Sequence, residues 1–191
     1  EFELALVLTA PTVQYRITLA DGTVLTVDNP VEYPDPANIE MTEEPFIRAS
    51  IIMPDDYIGP VTRLILDRRG DNYKNLYVGK KRVEISADMP LGEVVYDFYD
   101  KLKSVTQGYG SFDYEIIDYR ETSLVKLDIL INGERVDALS QLVHEERAYE
   151  RARVACDKLK EEIPRQMFKI AIQGAVGGKI IARSTVSAFR K

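Results

Sequence analysis

The chain has 191 residues, 45% of them apolar and 29% charged, with 25 basic and 31 acidic side chains and a net charge of −6. Its single cysteine, Cys156, excludes an intrachain disulfide and a four-cysteine zinc site. No apolar run reaches the roughly 20 residues of a membrane-spanning helix. The charge is segregated along the chain. Leu139–Lys191 holds 11 basic and 6 acidic residues, everything before it 14 and 25, and Ile163–Lys191 contains no Asp or Glu. Exposed charges are screened over roughly 8 Å at physiological salt, so a phosphate-rich partner would respond to that local excess and not to the acidic sum. The start at Glu1 and the abrupt end at Arg190-Lys191 are read as those of a piece of a longer protein.

In chain order, Val13–Leu19 and Thr23–Val27 are β-rich runs around Ala20-Asp21-Gly22, which predicts a hairpin with a type I′ turn. Asn29–Ala37, with Pro30, Pro34 and Pro36, predicts an extended linker. From Glu44 the pattern runs strand, helix, strand, strand, helix, strand. Phe46–Met53 is isoleucine-rich, as a central strand would be. Asp55-Asp56 predicts the cap of a helix carrying Ile58, Val61, Leu64 and Ile65, closed by Gly70 in the left-handed position. Leu76–Val78 and Val83–Ala87 predict short strands. Leu91, Val94, Val95, Phe98 and Leu102 predict one second helix, and Phe112–Tyr119 a closing strand.

Leu124–Ile131, Asn132-Gly133 and Arg135–Leu139 predict another hairpin. A helix follows from about His144 to Ile163, with Tyr149, Ala152, Cys156, Leu159 and Ile163 on one apolar stripe and Arg147, Arg151 and Lys158 opposite. Phe168, Ile170 and Ile172 predict a half-buried strand, and beyond Gly177-Gly178 either a strand or a helix sets Lys179 and Arg183 on one side. The fold class is therefore α+β. A ferredoxin-like βαββαβ sandwich occupies 44–122, after a hairpin remnant and linker over 1–43 and before a small α+β domain with a basic face over 123–191.

No catalytic constellation emerges. His144-Glu145-Glu146-Arg147-Ala148 begins like a zinc-protease motif but has Ala148 where the second histidine belongs. Gly174–Ile180 is one residue short of a phosphate loop, and Ile180 stands where the magnesium-binding hydroxyl should be. Asp55-Asp56 is better explained as a cap than as a carboxylate pair, and Cys156 as a small core residue than as a nucleophile. Gln107–Tyr114 is similar to an aromatic RNA-recognition motif, but it follows the second helix instead of preceding it, so most of its aromatics are expected in the core.

Ile51-Ile52-Met53-Pro54-Asp55-Asp56-Tyr57-Ile58-Gly59-Pro60-Val61, Pro90-Leu91-Gly92-Glu93 with Tyr96, and Lys103–Gly108 resemble the fifth domain of elongation factor G relatives. Val143-His144, Ala148-Tyr149-Glu150-Arg151, Ile163-Pro164-Arg165-Gln166-Met167-Phe168 and Gly178–Thr185 resemble the LepA (elongation factor 4) family. The resemblance covers nearly the whole chain. It implies a part of a ribosome-dependent GTPase that moves tRNAs back one codon and supports translation under stress, with ribosome assembly as the alternative role. It implies that GTP and magnesium belong to a domain outside these residues, so that this piece is not an enzyme and needs no cofactor. It also implies a cytoplasmic monomer that contacts ribosomal RNA and tRNA, with peripheral association at the inner membrane face. The basic residues expected on RNA phosphates are Arg147, Arg151, Arg165, Lys179, Arg183 and Arg190, with Gln166 as a polar partner. The rival is a protein-interaction or small-molecule regulatory module, because ferredoxin-like sandwiches host many functions.

Overall fold

The computed structural model describes residues 13–189. Expectations that fall on residues 1–12, and the expected RNA contact of Arg190, lie outside the described residues. Two compact units divide the chain. One comprises the residues up to Ile17, Val24–Thr26 and Glu43–Glu121; the other comprises Thr18–Thr23, Val27–Thr42 and Thr122–Lys191.

The first unit contains most of β1 (Tyr15–Leu19), β2 (Val24–Val27) and β3 (Ile39–Pro54), and all of α1 (Ile58–Asp67), β4 (Asp71–Tyr77), β5 (Arg82–Pro90), α2 (Leu91–Val94), α3 (Phe98–Val105) and β6 (Ser111–Glu121). β6, β3, β5 and β4 lie side by side in that order and pair antiparallel, while β1 also pairs with β3 and β2 with β1. This is the ferredoxin-like arrangement expected from the element order. Alternation explains its core. Ile47, Ala49, Ile51 and Met53 of β3 sit opposite Met89, Ala87, Ile85 and Val83 of β5, and all eight are buried. Val61, Leu64 and Ile65 of α1, Leu91 and Val94 of α2, and Phe98 and Leu102 of α3 are also buried.

The ends of the helices differ from expectation in an instructive way. Asp55 and Asp56 make no capping hydrogen bond; they form a 3-10 turn behind Pro54, and Asp55 accepts from the Tyr77 hydroxyl at 3.4 Å. The left-handed residue after α1 is Arg69 (φ 60°), not Gly70. Gly70 N–H bonds back to Ile65 O at 2.9 Å and Arg69 N–H to Leu66 O at 3.2 Å, a Schellman closure. Glycine is needed at 70 for space, since a Cβ there would lie 2.3 Å from Ile65 Cγ2. The predicted second helix is two, α2 and α3, because the chain turns between Val94 and Phe98.

The second unit contains β7 (Leu124–Ile131), β8 (Glu134–Arg135), β9 (Gln141–His144), α4 (Ala148–Glu162), β10 (Ile170–Val176) and β11 (Lys179–Val186). The sheet runs β11-β10-β7-β8, and β9 also pairs with β7. α4 lies across β7, β10 and β11. Its sheet-facing residues are small: Ala148, Ala152 and Cys156 are buried with Leu127, Ile129, Ile172 and Ala182, flanked by Leu159 and Ile163. Tyr149, expected on that stripe, is instead 61% exposed, since Ala148 one position earlier takes the inward place.

Candidate nucleic-acid interface

Turn chemistry decides where the basic side chains of the second unit can go. Asn132 (φ 52°) and Gly133 (φ 80°) both adopt the left-handed conformation, giving the tight β7–β8 turn. Gly177 (φ 58°) and Gly178 (φ 81°) do the same between β10 and β11. The glycines next to Lys179 therefore build a hairpin tip, not a phosphate loop at a helix start. Lys179 stands exposed at that tip.

The register between β10 and β11 then shifts. Gly174 faces Ala182 but Ala175 faces Ile180, so Ile181 is an extra residue. A bulge inverts the alternation, and it overturns the expectation that Lys179 and Arg183 share a side. Lys179 pairs with Val176, which pairs with the core residue Leu127. Arg183 pairs with Gln173, on the face turned away from α4. Along that face the register aligns Arg183, Gln173, Leu130 and Arg135 in one row across four strands. Arg135, not among the expected contacts, is held by Asp137 at 3.4 Å.

The remaining expected residues are distributed differently. Arg147 precedes α4, is only 17% exposed in its side chain and places Nη1 2.6 Å from Glu150 Oε2. Arg151, half-buried, follows one turn later on α4. His144 does not prepare a metal site; its Nδ1 accepts from Glu146 N–H at 3.1 Å and caps the turn into α4. No group of three or more His, Cys, Asp or Glu side chains placed to hold a metal occurs among the described residues. Arg165 and Gln166 lie exposed in the loop from α4 to β10; Gln166 Nε2 donates to Pro164 O at 3.4 Å, and its carbonyl accepts from Phe189 N–H at 3.0 Å. The predicted strand starts at Ile170, so Phe168 is not half-buried: Met167 and Phe168 are 82% and 81% exposed. The five described cations and Gln166 thus do not form one contiguous face.

Each unit holds some cations in ion pairs and leaves others exposed. In the first, Arg16, Arg48, Arg68, Arg69 and Arg120 each have a carboxylate within 4.0 Å. Arg69 grips Glu44 at 2.7 and 3.0 Å and reaches Glu93 at 3.4 Å, both of them buried. Burial works against its charge, but Glu44 and then Glu93 outweigh that and raise its pKa above the usual arginine value. Asp88, buried, is likewise opposed by desolvation, yet hydrogen bonds from Asn72 (2.8 Å), Arg120 (2.8 Å) and Arg48 (3.2 Å) hold its pKa below the usual carboxylate value. In the second unit Arg165, Lys169, Lys179 and Arg183 are exposed and have no ion pair among the described residues. The aromatic segment 107–114 lies in the first unit. Phe112 packs on Phe98 with centroids 5.2 Å apart, while Tyr109 and Tyr114 are exposed, contrary to expectation, with Tyr109 stacked 6.4 Å from Tyr57.

Sequence reasoning missed Lys169, Met167 and Phe168 as candidates. The signal available was the run Pro164–Lys169 itself, directly after a helix stop, where strand pairing has not begun. No helix of the described residues is long and apolar enough to cross a membrane.

Two family models match successive parts of the chain, and the boundary between them falls inside β7. Residues 41–130 match the family model described as elongation factor G C-terminus, and residues 131–191 the one described as GTP-binding protein LepA C-terminus. Over all 191 residues the chain is 62% identical to elongation factor 4 of Desulfosudis oleivorans, 60% to that of Syntrophus aciditrophicus and 53% to that of Geobacillus thermodenitrificans. It covers 32%, 32% and 31% of those proteins, so it spans about a third of the length of these relatives.

Proposed function

Because the chain belongs to the elongation factor 4 (LepA) family, we propose that it is a non-catalytic C-terminal part of a ribosome-dependent GTPase and that its second unit contacts ribosomal RNA and tRNA. One observation carries the reading. Arg165, Lys169, Lys179 and Arg183 are exposed and without a carboxylate partner among the described residues, in a stretch of chain that has no Asp or Glu. A cation left unpaired on a surface retains its full attraction for phosphate, whereas one already held by a carboxylate must first give up that bond. By this measure Arg147, bound to Glu150, is the weakest of the expected contacts. Arg151 and Gln166 remain in the proposal on position, and Arg190 on sequence alone.

The first unit serves as the scaffold, with Arg16, Arg48, Arg68, Arg69 and Arg120 held by carboxylates and Arg63 and Arg82 left exposed. GTP hydrolysis with magnesium, the backward movement of tRNA by one codon, a cytoplasmic location and peripheral contact with the inner membrane face are assigned to the whole protein through the family. A salt titration tests the RNA reading. If about four phosphates are neutralised, the log–log slope of the binding constant for single-stranded RNA against salt is near −3, at about 0.7 per phosphate. A flat response, together with failure of the chain to co-sediment with ribosomes, would sink it.

A further inference from the structure

We infer that the loop Pro164–Lys169 carries an apolar tip that stacks on unpaired RNA bases, so that the second unit prefers single-stranded RNA to duplex; this deepens the RNA reading above and rests on it. Met167 and Phe168 are 82% and 81% exposed, and Phe189 is 63% exposed. The bond from Phe189 N–H to the main-chain carbonyl of Gln166 at 3.0 Å ties the backbones of the two segments together next to Met167 and Phe168. Large apolar side chains so far out of a folded unit, carried by segments that a hydrogen bond joins, mark a surface for a partner.

The surrounding charge selects which partner. Arg165 and Lys169 bracket the apolar pair, both exposed and without an ion pair among the described residues, and no acidic residue occurs anywhere in Ile163–Lys191. An aromatic ring flanked by unpaired cations matches the chemistry of single-stranded nucleic acid. The ring takes a base face, and the cations take the phosphates on either side. A duplex buries its base faces in its own stack and leaves the ring nothing to meet. Phosphate attraction alone would draw both forms.

The test uses the chain as it stands and a fluorescent twelve-nucleotide single strand beside a blunt duplex of the same strand annealed to its complement. Phe168→Ala should weaken single-strand binding roughly tenfold or more, leave the salt slope unchanged and alter duplex binding by less than about twofold. Since the chain has no tryptophan, Phe168→Trp gives a unique probe whose emission should be quenched by the single strand and not by the duplex. Equal losses on both RNAs, or Phe168→Ala binding like the parent chain while the salt slope persists, overturns the stacking inference and leaves the phosphate reading standing. Absence of RNA binding by the unsubstituted chain sinks both. Phe168→Ala that binds RNA normally but no longer co-sediments with ribosomes assigns the tip to a protein partner and also overturns the inference.

Discussion

Gly174 of β10 lies so close under Ala152 of α4 that a Cβ added at 174 would stand 2.9 Å from the Ala152 methyl. Two of the smallest side chains are stacked at the centre of the second unit, and their smallness sets how near the helix approaches the sheet.

Gly174→Ala should therefore destabilise the second unit by about 1–3 kcal/mol through overpacking, lowering its melting temperature by several degrees. Ala152→Gly should cost about 1 kcal/mol by itself, from helix propensity. The double variant should be more stable than the sum of the two losses predicts, because the glycine at 152 makes room for the methyl at 174. Strict additivity in calorimetry would refute the close contact.

Arg69 holds a left-handed conformation that a glycine would adopt more easily, yet its guanidinium neutralises Glu44 and Glu93. Removing it strands the buried carboxylate of Glu44, so Arg69→Ala should lose about 3–5 kcal/mol in urea unfolding. In a Glu44→Gln background the same change should be markedly milder. An equal loss in both backgrounds would mean that backbone conformation, not charge, is what Arg69 supplies.

The lowered pKa of Asp88 has a definite sign for stability. Its unfolded carboxyl titrates near the usual value of about 3.9, and its folded one lower. Its contribution is thus present above about pH 4 and is lost as pH falls through the folded value. Asp88→Asn should lower stability at neutral pH and flatten the acid limb of a urea-midpoint profile between pH 5 and pH 2. An unchanged acid limb would remove Asp88 from the account.

Arg183 points away from α4, while Arg151 lies on α4. A short RNA that lies on one of these faces should lose affinity on charge reversal at only one of the two residues. With an RNA of about thirty nucleotides both reversals should weaken it. Equal effects of both on the short strand, measured by anisotropy, would mean that the two faces act as one surface.

The order of elements and the sheet they form were legible because strand alternation and helical periodicity are local patterns. Asn132-Gly133 was read correctly because both residues take positive φ. Asp21-Gly22 carries the same dipeptide logic, yet only Gly22 (φ 88°) is left-handed there, and Asp21 accepts from Thr23 N–H instead. The hairpin was right and its turn type was not. Gly70 looked like the helix stop because glycine usually is. Arg69 takes the place through an ion pair with residues 24 and 25 positions away, which no local pattern contains. The bulge at Ile181 likewise depends on pairing with another strand, and one extra residue was enough to part Lys179 from Arg183. Phe168 was assigned by alternation to a strand that begins only at Ile170.

Cys156, the sole thiol, is 1% exposed against the sheet, and desolvation followed by the charge of Asp157 raises its pKa. An alkylating reagent meets that sulfur only while α4 is lifted from its sheet. Its labelling rate in native buffer therefore counts those openings one molecule at a time, and the second unit carries a built-in gauge of its own breathing that the first unit, without a cysteine, does not disturb.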